Sequence, residues 1–174
     1  SVTEQIQTGR VTLDDYSFLK PSLDLACSSE ADGPDANLEE YDYPGGHSLR
    51  ERGRALAEVR LQQHRVERQV MEGRSDCARF AAGGSFILAR HPRGDLNRDY
   101  VLCSVQHRGE SEADLEAGAI SPEVSYSNSF RCIHGRVPFR PPLLTERPRI
   151  QGAQTATVVG PAGEEVHADA HGRV

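Results

Sequence analysis

No apolar run approaches the ~18 residues that a membrane-spanning helix needs, and the longest, Phe80 to Ala89, is half alanine and glycine. A transmembrane protein is therefore not expected. Ser1 opens the sequence with neither Met nor a basic-then-apolar leader, so we read no signal peptide and expect an excised piece of a longer chain. Lysine is almost missing: Lys20 stands alone among 20 basic residues, a compositional bias to which we attach no chemistry. Cysteine is sparse. Cys27, Cys77, Cys103 and Cys132 are widely spaced with no CxxC pair, which argues against a zinc ribbon or a redox pair. A chain of 174 residues needs no disulfide framework, so reduced, mostly buried thiols and a cytosolic folding compartment are expected.

Catalytic signatures are missing as well. There is no GxSxG elbow, no HExxH, no Walker lysine and no GxGxxG following a strand. The loop Gly160 to Glu165 ends in two carboxylates where a phosphate would want Lys and Ser or Thr, so it reads as a turn. An overall charge of −6 is a poor match to a phosphate backbone, and no nucleic-acid partner is expected. That charge is unevenly placed. Residues 1–46 hold ten acidic and two basic side chains, whereas 47–108 hold seven and twelve.

What is present is strand-like. Residues 2–26 alternate loosely and suggest one or two strands, followed by a solvated acidic loop from Cys27 to Asn37. Tyr41-Asp42-Tyr43-Pro44-Gly45-Gly46 reads as an aromatic patch closed by a turn. Ser48, with Glu51 three residues on, forms a capping-box pattern for a helix over about 48–64. On that helix Leu49, Ala55, Leu56, Val59 and Val66 share one side, while Arg50, Arg54, Arg65 and Arg68 gather on the other as a solvated outer face. Strand patterns return at 66–73, 85–90, 100–107 and 124–133, with Asp95-Leu96-Asn97 as a hairpin connection and 110–121 as an acidic loop. Four prolines make 137–150 an extended, semi-rigid strap, and 155–159 with 165–169 flank a turn at 160–163 as a last hairpin. The fold class expected is mainly β, antiparallel, with one amphipathic helix.

Several residues can be weighed for chemistry. His167, Asp169 and His171 alternate and would share a strand face as metal ligands, with a plain polar face as the simpler reading. Glu164 and Glu165 are adjacent, so on a strand they point apart and make a poor acid/base pair. His91, His107 and His134 read as structural histidines, and Tyr41 and Tyr43 as packing residues or as a carbohydrate- or protein-binding surface. No nucleophile, base and orienter come together, so no catalytic, cofactor or metal residue is assigned and no cofactor is expected.

The tail QTATVVGPAGEEVHADAHGRV is the most specific stretch. With DDYSFLKP at 14–21, EYDYPGG at 40–46, HPRGDLNRDY at 91–100, YSNSF at 126–130 and RVPFRPPLLTERPRIQG at 136–152, it resembles the valine-glycine repeat protein G (VgrG) family, spikes of type VI secretion systems. Phe80-Ala81-Ala82-Gly83-Gly84 and His134 depart from the family pattern. The resemblance implies a barrel-like tail-hub region over 1–135, a linker over 136–152, and the first hairpin of a truncated OB-fold over 153–174. It further implies a structural, non-enzymatic spike: a homotrimer in the full-length protein, meeting the Hcp tube protein, a PAAR-type tip protein or effectors, and baseplate components. Such a protein assembles in the bacterial cytoplasm and is then translocated into a target cell or the medium. A contractile phage or pyocin hub is the near alternative, and a metal-dependent hydrolase a distant one.

Overall fold

A computed structural model describes residues 1–111, 124–146, 148–157, 159–164 and 167–173. The chain divides into two units, Ser1–Pro142 and Leu143–Val174. In the first, five strands form an antiparallel sheet in the order β1-β5-β8-β7-β6, built from Val2–Glu4 (β1), Gln69–Ser75 (β5), Ser85–Ile87 (β6), Asp99–Ser111 (β7) and Val124–His134 (β8). A second sheet, β3-β2-β4, comprises Arg10–Leu13 (β2), Cys27–Glu30 (β3) and Glu39–Asp42 (β4), with β2 and β4 parallel. One helix, α1, runs over Arg50–Val66. Among the described residues neither sheet closes on itself, so the fold is mainly β and antiparallel but not a closed barrel.

Alternation along the strands gives the large sheet two apolar faces. One buries Met71, Tyr100, Leu102 and Cys132, covered by Phe80, Phe86 and Phe130 with ring centroids 5.2 to 5.5 Å apart, the spacing of favourable aromatic pairs. The other buries Val70 and Ile133 against Val66, the last residue of α1. A bulge at Cys103 shifts the register of β7 on β8 by one, between Leu102 opposite Cys132 and Ser104 opposite Arg131. The glycine-rich segment that departs from the family pattern folds back on β7, where Gly83 N–H donates to Leu102 O and Leu102 N–H to Gly84 O, each at 2.8 Å.

The small sheet packs on α1 through Val11, Leu13, Ala57 and Leu61. Here the structure departs from the periodicity reading. The buried face is Gly53, Ala57, Leu61 and Val66, whereas Leu49 is exposed and Leu56 and Val59 are half-buried. Small residues at i and i+4 let the helix axis approach the strands, and the larger side chains spill to its flanks. The capping box does not form either. The helix starts one residue later, with Leu49 as its cap and no side-chain cap bond, so Glu51 lies one position short of the capping-box site.

The acidic loop from Cys27 to Asn37 is in part a strand, since β3 covers Cys27–Glu30. Its Asp35 is buried. Of the acidic loop expected over 110–121, Glu110 and Ser111 belong to β7 and the rest lies outside the described residues. In the second unit Pro161–Glu164 form a turn, with Gly163 at φ 95°. The described residues of that unit form no strand, and Val158, Glu165 and Val166 of the expected hairpin lie outside them.

Candidate functional site

Among the described residues, those weighed for metal or acid/base chemistry have local partners. His167 Nδ1 lies 2.9 Å from Glu164 Oε2. Asp169 accepts hydrogen bonds from His171 N–H at 2.8 Å and from Arg173, whose guanidinium holds its carboxyl below the usual carboxylate range. Among the described residues no group of three or more His, Cys, Asp or Glu is placed to hold a metal ion, and Glu165 lies outside them. His107 Nδ1 accepts from Tyr126 O–H, and that oxygen in turn accepts from Asn128 Nδ2 at 3.1 Å. His91 and His134 accept backbone N–H bonds from Arg93 and Arg136, which close tight turns.

All four thiols are free, with Cys27 and Cys132 buried and Cys77 and Cys103 half-buried. Burial pushes the Cys132 thiol up to about 11 and raises Cys103 as well, the opposite of what a nucleophilic cysteine needs.

Of the arginines gathered on the outer face, Arg54 is exposed with no ion pair among the described residues, and the other three are paired. Arg50 pairs with Asp24 at 2.9 Å, Arg60 with Asp42, and Arg65 and Arg68 both with Asp35 at 3.4 and 3.0 Å, while His64 reaches Glu40 at 3.2 Å. The acidic first block of the sequence thus supplies the counter-ions for the basic helix. Part of the charge asymmetry between the two blocks is neutralised inside the unit.

A set of large apolar side chains is also exposed. Tyr16, Phe18, Leu19, Leu23, Tyr41, Tyr43 and Leu49 are all exposed, with Tyr41 at 58% and Tyr43 at 56%. They come from two stretches that are tied together. Gly45 N–H donates to Asp14 O at 2.8 Å, Tyr41 O–H to Asp14 Oδ2 at 3.2 Å, and the Gly46 and His47 amides to Asp15 Oδ2 at 2.8 and 3.0 Å. Exposed large side chains clustered this way are a feature of interaction surfaces rather than of chance exposure. The sequence singled out the two tyrosines; it missed His47 and Asp15, which fix the surface from behind. His47 is buried, and its Nε2–H donates to Leu25 O at 2.8 Å.

The Tyr16 amide and then those of His47 and Gly46 lower the Asp15 carboxyl below its ordinary value, against the effect of burial. A depressed folded pKa contributes stability above the unfolded value of 3.8 that is lost as pH falls through the folded one. Asp15→Asn is therefore expected to lower the melting temperature at about pH 7, with the gap to the wild type closing toward about pH 2. Thermal melts across that range check it, and a pH-independent gap would show that the charge is not what counts.

Residues 1–113 match the phage tail baseplate hub (GPD) family. The chain is 40% identical over 97% of its length to the type VI secretion system spike protein VgrG4b of Pseudomonas aeruginosa, and 37% identical over 97% to VgrG5 of the same organism. It is 35% identical over 98% of its length to a Vibrio cholerae protein named actin cross-linking toxin VgrG1. It spans only 22%, 22% and 16% of these relatives' own lengths. With the family matched along most of the first unit, on a mainly antiparallel frame that turns an apolar surface outward, the chain belongs to the phage tail baseplate hub family and is similar to the VgrG spike proteins of type VI secretion systems.

Proposed function

We propose that this chain is the hub region of a type VI secretion spike, a structural part that carries no catalytic step of its own. The observation that carries this reading is similarity to spike proteins at 40% identity along 97% of the chain. The physical character of the first unit supports it. Two sheets and a helix joined by ion pairs make a stiff body, and stiffness with an outward apolar surface is what load-bearing assembly requires.

In this reading residues 1–135 form the barrel-like hub in the context of the whole protein, 136–152 link it onward, and 153–174 form the first hairpin of an OB-fold. The parent is a homotrimer that joins the Hcp tube to a PAAR-type tip or an effector on a baseplate. It assembles in the bacterial cytoplasm and is then translocated into a target cell or the medium. The family description also favours a second reading, the hub of a contractile phage or pyocin tail, which has the same mechanics.

The test is the native mass of the full-length parent by light scattering. A stable trimer is expected. A monomer at micromolar concentration would overturn the spike mechanism.

A further inference from the structure

We propose that Gln62 and Gln63, near the end of α1, form a polar clamp that holds the proline-rich strap against the helix where the strap leaves the first unit. The inference goes beyond the proposed function and rests on geometry within residues 1–142 alone.

The strap begins after β8, where Val137 N–H donates to His134 O at 2.9 Å and the Val137 side chain packs on the cluster of Val66, Val70 and Ile133. Beyond that point its backbone cannot hold itself. Pro138, Pro141 and Pro142 lack an N–H and fix φ, and an extended proline-rich segment makes no internal hydrogen bonds. Phe139 and Arg140 are exposed, so apolar burial does little to anchor them.

Two hydrogen bonds secure it, and they run in opposite senses. Gln63 Nε2 donates to Pro141 O at 2.8 Å, and Arg140 Nε donates to Gln62 Oε1 at 2.8 Å. One glutamine acts as donor to the strap backbone and its neighbour as acceptor from the strap side chain. Between Val137 and Pro142 these are the strap's only hydrogen bonds among the described residues. A neutral amide carries both a donor and an acceptor, so each glutamine can meet the strap in the role required of it.

That polarity makes the test directional. Gln62→Glu keeps the acceptor and turns the hydrogen bond from the Arg140 guanidinium into an ion pair. Gln63→Glu loses the donor and sets a carboxylate against the Pro141 carbonyl. Glutamine and glutamate have nearly equal helix propensity, and both positions lie near the same helix end. Gln62→Glu also gives up the bond from Gln62 Nε2 to Glu58 Oε1 at 3.1 Å and sets two carboxylates together, so the background loss on α1 falls on the variant expected to keep the strap. The measurement is backbone ¹⁵N relaxation at Phe139 and Arg140 in the 174-residue chain. In the wild type and in Gln62→Glu, order parameters near about 0.85 are expected; in Gln63→Glu they fall below about 0.6. Gln63→Met, which removes the donor without adding charge, is expected to release the strap too, and it serves if the glutamate disturbs the helix end. Equal behaviour of the two glutamate variants, or a strap that stays rigid in both Gln63 variants, would overturn the clamp. Either result leaves the spike reading untouched, because that stands on the mass of the parent.

Discussion

Replacing Gly9 with alanine is expected to be the most damaging single-methyl change in the first unit. A Cβ at this position would lie 1.9 Å from Asp35 O and 2.3 Å from its carbonyl carbon, with Ala36 N at 2.7 Å. Those are backbone atoms, and they cannot swing aside as a side-chain tip can. Nor can the 31–38 segment lift away at low cost. Gly9 N–H donates to Leu38 O at 3.0 Å, Ala31 N–H donates to Gly9 O at 2.8 Å, and buried Asp35 is held by Arg65 of α1 and by Arg68 just beyond it. Relief of the clash would therefore strain the edge of the small sheet or break an ion pair that is mostly removed from water. Overpacking commonly costs 1–3 kcal/mol and a backbone clash more, so a loss of about 4 kcal/mol is expected. For a body of this size that lowers the melting temperature by roughly 8–16 °C. Gly94→Ala is the matched control, since a Cβ there meets nothing within 4 Å. Circular-dichroism melts of the two variants decide it; a Gly9→Ala protein within about 1 kcal/mol of wild type would mean the loop yields freely.

Gly53→Ala sets two effects against each other. In an exposed helix interior the change would stabilise by up to about 1 kcal/mol through helix propensity. Here a Cβ would come to 2.5 Å from His47 Nε2, 2.6 Å from Cδ2 and 3.0 Å from Cys27 Sγ. The imidazole cannot yield easily. It is buried, its Nε2–H is committed to Leu25 O, and on its other side Gly45 leaves no slack, since a Cβ there would be 2.9 Å from Nδ1. Packing wins, and a net loss of about 2 kcal/mol is expected. His47→Ala costs about 2–4 kcal/mol by itself, from the cavity and the orphaned Leu25 carbonyl. The double variant should cost less than the sum by about 1–2 kcal/mol, because removal of the ring removes the clash. A strictly additive cycle would show that Gly53 is required for some reason other than His47.

These two glycines also mark where reading the sequence works and where it stops. The strands expected near 66–73, 100–107 and 124–133 are legible because alternation over many residues is a local signal, and the helix is legible for the same reason at its own period, although Val66 closes α1 and the first of these strands starts only at Gln69. The choice of buried face on that helix is not. Leu49, Leu56 and Val59 look like the core, yet close approach to β2 and β3 selects Gly53 and Ala57, and only the partner strands know that distance. The Ser48–Glu51 box fails in a similar way. Its pattern is intact, but the chain enters the helix one residue later, while Arg50 is held by Asp24 at 2.9 Å from a segment 26 residues earlier.

The exposed tyrosines were visible as a motif, whereas the supports of their surface were not. Asp15 and His47 are 32 residues apart and meet through a backbone amide, a contact that spacing cannot encode. Family membership needed no coordinates: blocks such as DDYSFLKP, EYDYPGG and HPRGDLNRDY carry it in order along the chain. Charge asymmetry between residues 1–46 and 47–108 was equally plain, and its meaning was undetermined. Alone it fits two interaction patches or one internal pairing. The tertiary structure selects the pairing, because β4 and the loop carrying Asp35 lie alongside α1 and bring Asp35, Glu40 and Asp42 within reach of Arg65, Arg68, His64 and Arg60. Composition and local period therefore determined the class and most of the strands, and the ordered sequence blocks carried the family. Long-range packing decided which helix face is buried, which charges cancel and which apolar residues stay outside, because each of those depends on distances between segments far apart in the chain.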